Sequence, residues 1–165
     1  MNGITLRTIT MLFGLTLIVV APAAEAKRVA LVIGNDLYQS ATPLQNAGSD
    51  ARAVAQALQR DGFDVTLKED VTLKAMKDAL RSFKGQIAGG DDAVFYFSGH
   101  GVQFEGTNYL IPIDLTPNSQ EQVVDDSVPL QRVLDDLRDQ KARFALAIVD
   151  ACRAVWRRSR PPPGK

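Results

Sequence analysis

The chain has 165 residues, 45% hydrophobic and 23% charged, with 19 basic and 19 acidic side chains, the composition of one ordinary globular domain. From Lys27 to Cys152 there are 13 bases against 18 acids, a net charge of −5, which argues against nucleic acid as a partner. A single cysteine and a single histidine exclude an internal disulfide and a structural zinc site with four N and S ligands.

Residues 1–26 read as a secretory signal peptide. Arg7 precedes the apolar run Ile9–Val20, and small residues lead to an Ala24-Glu25-Ala26 site, so cleavage after Ala26 and an exported, periplasmic or secreted protein are expected. The run is shorter than the roughly 20 residues a spanning helix needs, so no stable membrane span is expected. Residues 27–153 are expected to form the folded domain, and residues 154–165 a basic, Pro-rich, disordered tail.

"RVALVIGN" (Arg28 to Asn35) is a β-branched run ending in Gly-Asn and predicts a strand buried on both faces. "SDARAVAQALQRDGF" (Ser49 to Phe63) places Ala51, Val54, Ala55 and Leu58 at helical spacing, with an N-cap expected at Ser49 or Asp50 and a stop at Gly62. Phe63 to Asp70 predicts a second strand. Thr72 to Asp92 predicts an amphipathic helix with Leu73, Met76, Leu80, Phe83 and Ile87 on one stripe, ending at Gly89-Gly90. "AVFYFS" (Ala93 to Ser98) predicts a third strand followed by a glycine-rich turn, and Val102 to Asp114 a hairpin around Gly106. Val128 to Gln140 predicts a helix through Leu130, Val133, Leu134 and Leu137, and "RFALAIVD" (Arg143 to Asp150) a fourth strand. This alternation implies an α/β fold, a mostly parallel sheet with helices on both faces.

Ligands of such sheets lie beyond the carboxyl ends of the strands. His100 follows the third predicted strand by two residues and Cys152 the fourth by two. If those strands are neighbours, imidazole and thiol face each other. A thiol with pKa near 8.5 becomes a strong nucleophile once an imidazole takes its proton, so the pair points to acyl transfer. The amides of Gly101 and Cys152 are the candidate oxyanion donors.

"YFSGHG" followed, 52 residues from His to Cys, by "DAC" resembles the caspase-like cysteine peptidases (clan CD, peptidase C14), in particular metacaspases and bacterial caspase-like proteins. "RVALVIGNDLY" is similar to the family's first strand. The resemblance spans Arg28 to Arg153 and implies a caspase-like three-layer sandwich. It also implies His100 as general base and acid, Cys152 as nucleophile, and Gly101 with Cys152 as oxyanion donors. Caspases cut after Asp with basic pocket residues, metacaspases after Arg or Lys with acidic ones. Asp150, two before the cysteine, and Asp50 match the acidic positions, and Ser98 matches a polar pocket wall. Ala47 stands where metacaspases often carry a cysteine. Carboxylates at a pocket floor favour a cationic side chain and repel a substrate aspartate.

The expected function is therefore a cysteine endopeptidase cutting protein or peptide substrates after Arg or Lys. The alternative is a catalytically inactive caspase-like binding or regulatory module. A flavodoxin-like small-ligand binder is a third reading, opposed by the lack of any G-x-G-x-x-G or P-loop pattern. Calcium dependence is common in metacaspases, but "GGDD" and "VVDDS" lack EF-hand spacing and read as helix-boundary acids, so no cofactor or metal site is assigned. Relatives usually continue with more sheet after the cysteine, often from Asp-Asn-Pro, where this chain has "AVWRRSRPPPGK". This departure leaves two expectations open, a truncated or frameshifted gene product, or a small subunit or dimer partner that completes the sheet.

Overall fold

The computed structural model describes residues 26–116 and 119–154, with the backbone alone at 153 and 154. The expected signal peptide, apart from its last residue, and the tail beyond residue 154 lie outside them. Among the described residues no helix is long and apolar enough to cross a membrane.

The elements run β1 (Arg28–Gly34), α1 (Ala47–Arg60), β2 (Asp64–Glu69), α2 (Leu73–Gln86), β3 (Asp92–Phe104), β4 (Thr107–Leu110), α3 (Gln120–Asp125), β5 (Val128–Pro129), α4 (Leu130–Asp139) and β6 (Phe144–Ala154). β2, β1, β3 and β6 lie side by side and parallel, while β4 joins the far end of β3 antiparallel and pairs onward to β5. From β1 the chain steps outward to β2, then returns to the other side of β1 as β3. The topological switch point therefore lies between β1 and β3, at the end where the site residues cluster.

Two layers of side chains hold the sheet. One face carries Leu31, Ile33, Phe95 and Phe97, packed against Met76 and Phe83 of α2 and Val133 and Leu137 of α4. The opposite face carries Val32 and Tyr96 against Ala51 and Ala55 of α1. The period-2 pattern of the strands and the 3.6 period of the helices predict both layers.

Three local expectations change. α1 starts at Ala47, and neither Ser49 nor Asp50 caps it. The carboxylate of Asp36, from the loop after β1, accepts from the amides of Ala47 and Gly48, each at 2.9 Å, so Asp50 sits inside the first turn. Second, α2 ends at Gln86, and the acids after it serve other partners. Asp91 accepts from the Ala88 and Lys27 amides, while Asp92 is gripped by the Arg143 guanidinium at 2.7 and 3.0 Å. Those bonds hold both carboxyls below the ordinary carboxylate range, through the Ala88 amide first at Asp91 and through Arg143 first at Asp92.

Third, the glycine-rich "GHG" is not a turn. β3 runs on through it to Phe104, because its edges stay occupied by β6 out to Val102 and by β4 from Gly101. The reversal falls later, at Glu105-Gly106, where both residues take the left-handed backbone of a tight hairpin. β6 likewise continues past Asp150 to Ala154.

Candidate active site

His100 and Cys152 are direct partners in the β3–β6 ladder. Paired residues of neighbouring parallel strands project to the same face. Imidazole and thiol therefore stand side by side on the α1 face of the sheet, with Cys152 exposed and His100 half-buried. The expectation that the third and fourth major strands are neighbours holds, with the two residues inside the strands rather than beyond them.

The loop after β1 fixes the imidazole. His100 Nε2 lies 2.8 Å from the carbonyl oxygen of Thr42. A carbonyl only accepts, so Nε2 carries the proton and Nδ1 keeps the free lone pair. The Tyr38 ring packs against the imidazole with centroids 4.4 Å apart, and the Tyr38 hydroxyl accepts from the His100 amide at 2.7 Å. A Cβ at position 99 would stand 2.5 Å from that hydroxyl, which is why the residue before the histidine is a glycine.

The expected oxyanion donors both face the seam between the strands. The His100 amide and carbonyl point away from β6, to Tyr38 and to the Ile111 amide, so strand alternation turns the Gly101 amide toward β6. At the start of β6 the Phe144 amide bonds the Asp91 carbonyl, and by the same alternation the Cys152 amide faces β3. The two amides converge on one seam, zipped as far as Val102 and Ala154.

The three expected pocket residues gather on the same face. Ser98 is buried on β3 directly opposite Asp150 of β6, and Asp50 and Asp150 are exposed. One phenol senses all three. Burial is the main reason that the Tyr96 hydroxyl is held above its ordinary range; the Ser98 side chain lowers it through a hydrogen bond, and the negative charges of Asp150 and Asp50 raise it further. Tyr96 was not singled out in the sequence, although its place two residues before Ser98 puts it on the same face. Tyr38 and the Thr42 carbonyl were missed as well. A hydroxylated aromatic in an otherwise polar loop was a readable signal for the first, but a main-chain carbonyl leaves none. Among the described residues no group of three or more His, Cys, Asp or Glu could hold a metal ion.

Three comparisons relate the chain to known proteins. The family model for the caspase domain of peptidase C14 matches residues 27–163. The human mucosa-associated lymphoid tissue lymphoma translocation protein 1 is 26% identical over 132 residues, 80% of this chain and 16% of that protein. Its mouse homologue is also 26% identical over 132 residues, 80% of this chain and 15% of that protein. The crystal structure of protein GSU0716 from Geobacter sulfurreducens superposes with a TM-score of 0.62 at 19% identity, covering 79% of this chain and 52% of that one. The chain thus spans about a sixth of the length of the two mammalian relatives.

Proposed function

This chain belongs to the caspase-domain family of C14 peptidases, and from that premise we propose that it is a cysteine endopeptidase cutting after Arg or Lys. The observation that carries the reading is the direct register of His100 with Cys152 on one face of neighbouring strands.

In this mechanism Nδ1 of His100 takes the Cys152 proton, and the thiolate adds to the scissile carbonyl. The imidazolium then returns the proton to the leaving amine, and water, activated by the same imidazole, releases the acid and regenerates the thiol. The Thr42 carbonyl holds the tautomer that this sequence of transfers needs, the part that a carboxylate plays beside the histidine of serine peptidases. Gly101 and Cys152 amides serve as oxyanion donors once the seam between β3 and β6 parts beyond Asp150. Asp50 and Asp150, with Ser98 between them, receive a substrate guanidinium or ammonium group.

The sheet's open side supports a second part of the reading. Among the described residues β6 pairs with no strand but β3, and Phe144, Leu146, Ile148 and Val149 are 36–49% exposed. A strand supplied by a small subunit or by a second copy would cover them and draw the end of β6 outward, freeing the two amides. The zipped seam also favours the competing reading, a caspase-fold module that binds without cleaving.

Matched reporter peptides carrying Arg, Lys or Asp before the scissile bond decide between them. Turnover is expected after Arg and Lys and is expected to vanish in Cys152→Ala. Cleavage after Asp alone overturns the acidic pocket, and no turnover of any reporter by the assembled protein favours the binding module.

A further inference from the structure

β1 makes its last bond to β3 when the Asn35 amide meets the Ser98 carbonyl, and β4 begins at the Gly101–Leu110 pair. That leaves one gap on this edge of β3, opposite His100, where a buried amide would lack a strand partner. Tyr38 fills it. Its hydroxyl accepts from the His100 amide at 2.7 Å and donates to the Ile111 carbonyl at 3.3 Å, bridging β3 to the segment after β4. Burial, the largest influence, pushes this phenol up to about 12, so it stays neutral and keeps its proton for Ile111 throughout the working range of a peptidase.

The ring serves a second purpose. It is 6% exposed and lies against the imidazole, tilted by 51°, and an aromatic ring beside an imidazole stabilises the cation that forms when it takes a proton. The loop carrying Tyr38 is itself pinned, since the Gln39 amide bonds the Ile113 carbonyl at 2.8 Å and the Leu44 amide bonds the Asp36 carbonyl at 3.0 Å.

We propose that Tyr38 is the positioning residue for His100, its hydroxyl setting the backbone of the histidine and its ring setting the imidazole. The inference rests on the peptidase reading for its effect on chemistry, but its effect on His100 is measurable separately. With one cysteine and one histidine in the chain, thiol alkylation reports on Cys152 alone, and the imidazole N–H resonance reports on His100 alone.

The test compares the wild-type chain with Tyr38→Phe and Tyr38→Leu, reading iodoacetamide alkylation from pH 5 to 8 and amide hydrogen exchange by NMR. Tyr38→Phe should slow alkylation at mildly acidic pH about tenfold, the effect of one lost hydrogen bond, and speed exchange of the His100 amide by at least as much. The Phe95 and Phe97 amides should keep their protection, showing that the fold persists. Tyr38→Leu should slow alkylation further and lose the Nε2–H resonance that the Thr42 carbonyl protects. Wild-type alkylation and wild-type exchange at His100 in both variants would overturn the proposal. If the wild-type thiol reacts only like a free cysteine, the peptidase reading falls, and the exchange data still decide whether Tyr38 holds His100.

Discussion

The two flanks of β3 carry strands of similar sequence in different surroundings. On one side β1 reads "VALVI", and all five residues are 0–3% exposed because α1 covers one face and α2 the other. On the other side β6 reads "FALAIV", equally apolar, yet Leu146 and Ile148 are each 40% exposed. Their direct partners on β3, Val94 and Tyr96, are 3% and 5% exposed. Apolar composition therefore specifies the strand, whereas burial depends on which neighbours cover it. The candidate nucleophile lies on the uncovered flank, β6, and the candidate base beside it on β3, so the site straddles the boundary between covered and uncovered sheet.

Truncation should separate the flanks most sharply. Leu31→Ala on β1, where the side chain is fully buried, is expected to cost about 2–5 kcal/mol. Leu146→Ala on β6 should cost less than about 1 kcal/mol, because much of its surface is already in water. Urea unfolding of the two variants measures the difference, and equal losses would mean that β6 is covered in solution.

A smaller effect concerns the joint between the flanks. The Arg143–Asp92 pair ties the start of β6 to β3, and the Asp91 carboxylate ties the start of β3 to Lys27 ahead of β1. Both carboxyls titrate below their unfolded value of about 4. Their contribution is therefore fully present above that value and is lost as pH falls through the lower folded values. The urea midpoint should drop between pH 5 and pH 3, with a shallower drop in an Asp91→Asn, Asp92→Asn variant; an unchanged slope would remove the joint from the account.

Much of this architecture was legible because its signals are periodic. β1, β2 and α4 stand close to their predicted places and α2 starts where it is predicted to, since the helices bury regular stripes and β1 is apolar along its length. What escaped prediction depends on contacts distant in sequence. "GHG" reads locally as a turn but is strand because β4 and β6 occupy its edges, and Asp50 reads as a cap until Asp36 is seen at the helix start. α3 and β5 are too short to show a period. His100 and Cys152 were readable together because they follow two apolar runs at the same spacing, and Ser98 and Asp150 through the family resemblance, while Tyr38 and Thr42 lie in a loop that no spacing rule describes.

Covalent labelling by peptidyl electrophiles that differ only in carrying Arg or Asp beside the reactive carbonyl tests the central claim most directly, read as intact mass and then as the modified residue. The account predicts one adduct per chain on Cys152, formed much faster with the Arg reagent, and slowed to the rate of a free thiol in His100→Ala. Labelling at equal rates by both reagents, or a rate indifferent to His100, would contradict it.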